Sequence, residues 1–281
     1  MTVQKFLAYA TAQLEKAGVG TARLDCLVLL EDATGKDRAY LLAHPETTVK
    51  GATFHKLEGQ IKQRVQHVPL AQIRGKTEFY GREFIIDKRV LEPRPESETM
   101  VELLLDLVKS KMQNAKRLLV VDVGTGSGAI GISAKLEFPE AEVILTDIDP
   151  GCLAIARKNA QKHEVDVQIL QGNLLQPVIS SNRFSGRVIY LMANLPYVPD
   201  SYEINQAALN EPKIAIFGGP DGLDLYRKLF LQIAKNLQFV SIKYILTESL
   251  PFQHKELEKI AAKSGYKLIK TDDFIQVFTK A

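Results

Sequence analysis

Residues 118–132 read LLVVDVGTGSGAIGI and decide the fold of this chain. The stretch opens with an apolar run of Leu and Val that predicts a buried strand, with Asp122 at its end. Gly124, Gly126 and Gly128 then alternate with small residues before an apolar, helix-compatible segment. Glycine is needed where the backbone bends sharply or a ligand approaches it closely, because a β-carbon would block both. A strand, a glycine-rich loop and a helix predict the first unit of a nucleotide-binding α/β domain.

The composition is that of a soluble globular protein with room for more than one domain. The chain has 281 residues, of which 46% are hydrophobic and 25% are charged. Its net charge of +3 does not by itself indicate nucleic acid binding. Cys26 and Cys152 do not resemble a disulfide framework, and the histidines show no metal-ligand spacing, so we expect a reducing cytoplasm and no metal site. The first residues match neither a signal peptide nor a membrane span.

Residues 1–75 predict a small helical domain. Apolar residues recur at helical spacing up to Gly18 and again between Thr21 and Gly35. A short helix near residues 37–42 and a longer one after residue 53 complete the domain. Its lysines and arginines favour a solvated face, and contact with an acidic or RNA-rich partner is the weaker alternative.

Residues 76–95 predict a β-hairpin followed by a proline connector. The segment TEFYGREFIIDKRV, residues 77–90, alternates around aromatic and β-branched positions, with Gly81 near its middle. Pro93 and Pro95 hold the residues before them extended and argue against regular structure there. The density of charge around these prolines suggests a functional role as well as a linker.

Strands and helices alternate over residues 96–281, which we expect to form the main domain. A second apolar strand ends at Asp147, about 20 residues beyond the glycine loop, where a carboxylate can accept hydrogen bonds from ribose hydroxyls. The alternative for Asp147 or Asp149 is to cap the next helix. A third strand leads to Asn173 and Leu174, where an amide could bond an adenine edge, although turn chemistry alone also favours asparagine.

The fourth strand, GRVIYLMANLPYVPD at residues 186–200, carries a second motif. Ligands bind at the carboxyl ends of parallel strands, so this motif is expected beside the glycine loop. The Asn194 side-chain oxygen and the Leu195 carbonyl can accept from a planar NH₂ group, whose face the Tyr197 ring can cover. Pro196 holds Leu195 extended. The set suits methylation of a planar nitrogen, and the alternative is a strand-ending turn with a core tyrosine.

These motifs resemble the class I S-adenosylmethionine-dependent methyltransferases that modify planar nitrogens. Other blocks resemble a narrower group, the HemK/PrmC release factor glutamine methyltransferases, and the resemblance extends over essentially the whole chain. The blocks are ARLDCLVLL at residues 22–30, VPLAQIRGKTEFYGREF at 68–84, VLEPRPESE at 90–98 and EPKIAIFGGPDGLDLYRKL at 211–229.

The resemblance implies a fold and a reaction. The fold is α/β: a small helical domain, a β-hairpin connector and a Rossmann-like class I methyltransferase domain with a seven-stranded, mostly parallel sheet whose last strand is antiparallel. The reaction moves a methyl group from S-adenosyl-L-methionine to the side-chain amide of the glutamine in the Gly-Gly-Gln motif of class 1 peptide chain release factors, leaving S-adenosyl-L-homocysteine. We therefore expect release factors as partners of a cytoplasmic monomer, with no stable nucleic acid binding and no membrane.

Residue matching to the family implies the individual roles. Asp147 would bind the ribose, while Asn173 and Leu174 would flank the adenine. Asn194 would contact both cofactor and substrate. The methionine part of the cofactor would lie on the loop residues Gly124, Thr125, Gly126, Ser127 and Gly128. The catalytic set would be Asn194, Leu195, Pro196 and Tyr197.

The chain departs from the family pattern in places, and other functions compete. The usual motif is NPPY, an acid is common where Asn173 stands, and the terminal TDDFIQVFTK lacks a frequent Gly-Arg ending. Because NLPY also occurs in rRNA adenine dimethyltransferases, an adenine N6-methyltransferase acting on rRNA or DNA is the main alternative. A nicotinamide-dependent oxidoreductase would leave the 194–197 motif unexplained. A silent module that binds release factors is the third possibility.

Overall fold

The computed structural model describes residues 1–111, 118–181, 187–236 and 241–281. Within them the chain divides into two compact units. The smaller unit contains Met1–Lys76 with Ile204–Asn210, and the larger contains Thr77–Glu203 with Glu211–Ala281. The three-part division with boundaries after residues 75 and 95 stays a prediction. Gly186, where the fourth strand was predicted to begin, lies outside the described residues.

The smaller unit consists of helices around one apolar core. The helices are α1 (Val3–Lys16), α2 (Ala22–Thr34), α3 (Arg38–Ala43), α4 (Gly51–Val65) and α5 (Leu70–Arg74). The Thr2 hydroxyl caps α1 by accepting from the Lys5 N–H, and Gly35 ends α2 in a left-handed conformation. Between α4 and α2, Arg64 pairs with the buried Asp25 at 2.6 Å. The helical character predicted for this part of the chain is confirmed.

A β-hairpin follows, formed by β1 (Lys76–Phe79) and β2 (Arg82–Ile85). Tyr80 and Gly81 both have positive φ, 54° and 68°, as in the type I′ turns that match the twist of paired strands. The strands are shorter than the predicted 77–90 block, because the chain turns at Asp87, whose carbonyl accepts from the Val90 N–H. A single turn of 3₁₀ helix at Pro95–Ser97, where the prolines predicted no regular structure, leads into α6 (Glu98–Lys111).

The larger unit is built on a seven-stranded sheet. Its strands are β3 (Leu119–Val123), β4 (Glu142–Asp147), β5 (Gln168–Gln171), β6 (Val188–Ala193), β7 (Ser241–Glu248), β8 (Tyr266–Asp272) and β9 (Ile275–Lys280). In space their order is β5-β4-β3-β6-β7-β9-β8. The first five are parallel to one another, whereas β9, last in sequence, runs antiparallel to both β7 and β8. The predicted fold class is confirmed.

The central strands are buried on both faces. Val121 and Val123 of β3 pack in one apolar core, and Val120 packs in the other, as expected for parallel strands between helices. The helices that follow α6 are α7 (Ala129–Glu137), α8 (Pro150–Lys162), α9 (Gln176–Ser180), α10 (Asp224–Lys235) and α11 (His254–Lys263). The strand order reverses between β3 and β6, which is where open α/β sheets bind ligands. No helix in the described part of the chain has the length and apolar character that a membrane crossing needs.

Candidate active site

The loop between β3 and α7 owes its shape to three glycines. Gly124, Gly126 and Gly128 have φ values of 71°, 56° and 83°, in the left-handed region. A β-carbon on Gly124 would lie 2.8 Å from Leu195 Cδ2, and one on Gly128 would lie 2.8 Å from Ile132 Cδ1. A β-carbon on Gly126 would meet no described atom within 4 Å. The outer glycines thus permit close packing, and the middle one leaves open space at the cleft.

A buried carboxyl group holds this loop from inside the sheet. Asp122 accepts hydrogen bonds from the Thr125 hydroxyl at 2.6 Å and from the Gly131 N–H at 3.0 Å. Burial raises the pKa of Asp122 to about 6. Thr125 and Ser127 are buried themselves, so the loop offers backbone rather than these side chains.

Asp147 and Asp149, at the end of β4, have different hydrogen-bonding partners. The Asp147 carboxylate accepts from the Gly126 N–H at 2.9 Å and from the Asp149 N–H at 2.9 Å. Burial raises the pKa of Asp147. Asp149 caps α8, since its side chain accepts from the Gly151 N–H at 2.7 Å. The capping role is therefore filled by Asp149, and Asp147 is bonded directly to the glycine loop.

The end of β5 brings Asn173 and Leu174 to the same edge of the sheet. The Asn173 carbonyl accepts from the Gln176 N–H at 3.1 Å and from Gln232 Nε2 at 3.3 Å. Leu174 has a positive φ of 54°, and its carbonyl accepts from the Thr146 hydroxyl at 3.1 Å. These bonds use backbone carbonyls, and both residues line the cleft.

At the end of β6, Asn194 belongs to a buried polar cluster. Its Nδ2 donates to Ser97 Oγ at 2.8 Å and to Glu248 Oε2 at 3.0 Å. The Ser97 hydroxyl donates to the same carboxylate oxygen at 2.6 Å, and the Tyr197 hydroxyl donates to Glu248 Oε1 at 2.9 Å. Burial raises the pKa of Glu248. Two residues of the NLPY motif are thus anchored on one carboxylate.

The backbone of the NLPY motif contacts α10, the Gly-Gly-Pro-Asp-Gly loop at residues 218–222 and the short 3₁₀ turn that contains Gln253. The buried Tyr226 hydroxyl accepts from the Leu195 N–H at 3.2 Å and lies 3.0 Å from the Ala193 carbonyl oxygen. Gln253 Nε2 donates to the Tyr197 carbonyl at 2.7 Å. A β-carbon on Gly222 would lie 2.0 Å from that same carbonyl oxygen, so the loop requires glycine there.

Asn159 of α8 joins the hairpin to the glycine loop. Its Oδ1 accepts from the Ile85 N–H at 2.7 Å, and its Nδ2 donates to the Ile85 carbonyl at 2.9 Å. The same nitrogen donates to the Ser127 carbonyl at 2.8 Å. The fully buried amide thereby fixes β2 against the loop.

Glu211 joins the proline connector to the segment after β6. Its buried carboxylate accepts from the Glu92 N–H at 3.0 Å and from the Arg94 guanidinium. The blocks VLEPRPESE and EPKIAIFGGPDG, which are far apart in sequence, are therefore in direct contact.

A cleft follows this edge of the sheet from the glycine loop to the NLPY motif. Arg89 lies in its wall, together with Pro212, Ile214 and Ala215 of the segment after β6. The predicted site residues in the wall are Gly124, Gly126, Asp147, Asn173, Leu174, Asn194, Leu195 and Pro196. Four other predicted residues contribute to the loop or the cluster but not to the described wall: Thr125, Ser127, Gly128 and Tyr197.

Sequence reasoning assigned no role to Ser97, Asn159, Tyr226 or Glu248. Ser97 and Tyr226 lie inside blocks that carry the family resemblance, which was a usable signal. Glu248 is a single acid at the end of an apolar strand, the same pattern that singled out Asp147. Nothing in the local sequence distinguishes Asn159 from an ordinary surface asparagine.

The fold and the cleft define a class I methyltransferase, and comparison with known proteins agrees. Residues 5–75 match the PrmC N-terminal domain, and residues 98–191 match the methyltransferase small domain. A 16S rRNA methyltransferase of T. thermophilus, solved with AdoMet and guanosine, has a similar fold, with a TM-score of 0.50 and 15% identity over 73% of this chain and 49% of that one.

Two curated relatives narrow the family. The release factor glutamine methyltransferase of Deinococcus radiodurans is 34% identical over 84% of this chain and 82% of its own length. The bifunctional methyltransferase of Rickettsia bellii is 30% identical over 99% of this chain, which spans about half (50%) of that relative. The chain belongs to the release factor glutamine methyltransferase family.

Proposed function

We propose that this protein transfers a methyl group from S-adenosyl-L-methionine to the side-chain amide of a release factor glutamine, the one in the Gly-Gly-Gln motif of class 1 factors. One observation carries the proposal. Both amide hydrogens of Asn194 are bonded to Ser97 and Glu248, which leaves its oxygen to accept from a substrate NH₂ at the cleft. Family membership supports the assignment of that NH₂ group to a glutamine side chain.

The cleft fits the proposed cofactor along its length. Open space at Gly126 admits the methionine part close to the backbone. The Asp147 carboxylate accepts from the Gly126 and Asp149 N–H groups, and as a two-oxygen acceptor it has further lone pairs for a ribose hydroxyl. Asn173 and Leu174, at the end of the next strand, flank the adenine position. In this arrangement Thr125, Ser127 and Gly128 act by shaping the loop.

The reaction requires the protein to align the glutamine amide with the methyl donor and to stabilise the charge that develops. S-adenosyl-L-methionine supplies a methyl group on a sulfonium, an electrophile strong enough for a neutral amide nitrogen. Asn194 Oδ1 and the Leu195 carbonyl accept the two N–H groups of the glutamine and stabilise the positive charge that develops on its nitrogen. Pro196 sets the carbonyl direction, and Tyr197, anchored on Glu248, narrows the slot. The proton leaves the nitrogen after transfer, so no general base is needed first.

We further infer that the protein works as a cytoplasmic monomer without stable nucleic acid binding. Both cysteines are free and buried, in keeping with a reducing compartment. The net charge of +3 provides little general attraction to nucleic acid.

Methyl transfer from labelled S-adenosyl-L-methionine tests the function directly. Purified protein should label a class 1 release factor and leave unlabelled a release factor whose motif glutamine is replaced by alanine. Total RNA and DNA, offered under the same conditions, should stay unlabelled. Label in adenine with the release factor untouched would establish the adenine methyltransferase instead.

A further inference from the structure

Donor and acceptor chemistry fixes the orientation of the Asn194 amide. An NH₂ group only donates, whereas an ionised carboxylate oxygen only accepts. The Ser97 hydroxyl has one hydrogen, which it gives to Glu248 Oε2 at 2.6 Å, so its lone pairs face Asn194. The nitrogen of Asn194 therefore faces both groups, at 2.8 Å from Ser97 Oγ and 3.0 Å from Glu248 Oε2.

With Glu248 ionised, the opposite orientation is strongly disfavoured because the cluster is buried. Turning the amide over would place Asn194 Oδ1 against the ionised Glu248 Oε2, would leave one Ser97 hydrogen for two acceptors, and would direct the N–H groups of Asn194 into the cleft. Ser97 and Glu248 are each only 1% exposed, so water has little access to replace the lost hydrogen bonds. The orientation in which Asn194 Oδ1 faces the cleft is therefore built into the fold.

We propose that Glu248 and Ser97 are positioning residues that lock the Asn194 amide with its oxygen toward the cleft and so set where the substrate nitrogen is held. The proposal rests on the proposed function and adds to it two residues that do not line the described wall of the cleft. Its physical requirement is an acceptor at the position of Glu248 Oε2. A proton on Oε1 would leave that acceptor in place, so the role does not depend on the charge of Glu248.

A pair of substitutions at Glu248 separates acceptor from charge. Glu248→Leu removes the acceptor in a side chain of similar size, and kcat should fall about 10–100-fold, the range for outer groups that orient metal ligands. Glu248→Gln keeps an oxygen where Oε2 lies and turns its nitrogen toward the Tyr197 hydroxyl, which can accept, so most of kcat should return. The affinity for S-adenosyl-L-methionine and the KM for the release factor should stay near the parent values in both.

Thr247→Val is the matched control on the same strand. The Thr247 hydroxyl is buried and bonds to no described partner, so its loss should leave kcat unchanged. A glutamine variant as slow as the leucine variant would overturn the positioning role, because charge would then be the essential property. A leucine variant at the parent rate would overturn it as well.

A double-mutant cycle tests whether Glu248 acts through Asn194. In the Asn194→Ala background, Glu248→Leu should lower kcat much less than in the parent, since Asn194 is absent and only the anchor of Tyr197 is left to lose. Equal effects of Glu248→Leu in both backgrounds would contradict the proposal. Should the Glu248→Leu variant fail to fold, the milder Ser97→Ala substitution replaces it in the same double-mutant cycle.

Nitrogen-15 NMR provides a reading that does not depend on the substrate. The side-chain NH₂ signals of Asn194 are identified by their loss in Asn194→Ala, and in the parent their hydrogens should exchange slowly with solvent. Exchange should accelerate in Ser97→Ala, and equal exchange in the two proteins would overturn the lock. Failure of the parent to label a release factor would remove the proposed function, while this exchange measurement would still decide the orientation of the amide.

Discussion

The two polar atoms of the Asn194 side chain have different roles. Its nitrogen donates to Ser97 and Glu248 inside the protein, and its oxygen is the acceptor that we propose for the substrate NH₂ group. Asn194→Ala should lower kcat by roughly 10²–10³, the usual effect of losing one preorganised group at a reacting centre. Cofactor affinity should change little. Single-turnover transfer of labelled methyl and calorimetry with S-adenosyl-L-methionine measure the two effects.

Asn236→Ala provides the control, since Asn236 is the C-cap residue of α10 and its side chain donates only to the Gln232 carbonyl among the contacts described. It should keep the parent rate. An Asn194→Ala enzyme that also kept the parent rate would remove the residue from the mechanism.

Asp147 and its neighbour Asp149 should respond differently to the same substitution. Asp147→Ala removes the charged acceptor proposed for the ribose, and a hydrogen bond to a charged group contributes about 1.5–3 kcal/mol, so cofactor affinity should fall more than about tenfold. Asp149→Ala removes a helix cap instead and should cost about 1 kcal/mol of stability. Calorimetry and thermal unfolding on both variants distinguish the roles, and unchanged affinity in Asp147→Ala would speak against ribose binding.

At the scale of elements, one amide connects three of them. Asn159 of α8 bonds both backbone groups of Ile85 in β2 and the Ser127 carbonyl in the glycine loop. Asn159→Ala leaves these buried groups unpaired, at about 1–3 kcal/mol for each group that finds no other partner. We expect a lower melting temperature and weaker cofactor binding, because the loop loses a support.

Gln161→Ala is the matched control for that experiment. Gln161 lies on the exposed side of the same helix, so its replacement should leave both quantities near the parent values. Equal melting temperatures for the two variants would show that the Asn159 bridge does not stabilise the fold.

Local patterns predicted the elements but not the contacts between them. Residues 118–132 predict strand, loop and helix because the apolar run and the glycines are adjacent in sequence. The cluster around Asn194 has no such signal, since Ser97 and Glu248 are 151 residues apart. Asn194 and Glu248 meet because the register of β6 and β7 pairs Ala193 with Thr247, which places the residues that follow them together. That register is a property of the whole sheet.

Element ends were also less predictable than element types. The pattern VDVQIL at residues 165–170 predicts the third strand of the main domain, but β5 begins at Gln168. Glu164 adopts a positive φ of 54°, and the Val165 N–H returns to the Ala160 carbonyl at the end of α8. The hydrogen bond that closes α8 therefore uses Val165, which an apolar pattern would assign to the strand.

At the scale of the whole molecule, Asp122 should make unfolding depend on pH. An aspartate in an unfolded chain has a pKa near 3.9, whereas burial raises the pKa of folded Asp122 to about 6. The folded state holds the proton more tightly, so its contribution to stability is complete below the unfolded pKa and is lost as pH rises through about 6. The difference corresponds to about 3 kcal/mol.

Asp122→Asn isolates that contribution from those of other titrating groups. The variant has no proton to lose, so its free energy of unfolding should rise relative to that of the parent by about 2 kcal/mol between pH 4 and pH 7. Urea unfolding at several pH values measures the difference. Parallel stability curves for the two proteins would mean that Asp122 keeps an ordinary pKa in the folded state.

The Leu195 side chain lies between the glycine loop and the apolar core, so the residue at this position of the motif affects both. A proline at 195 would have no N–H for the Tyr226 hydroxyl and would withdraw the methyl group that now fills the space beside Gly124. Changing Leu195 to the proline of an NPPY motif would thus disturb α10 and the glycine loop together. In engineering terms position 195 is coupled to two neighbours at once, so a proline placed there would require compensating changes at both Tyr226 and Gly124.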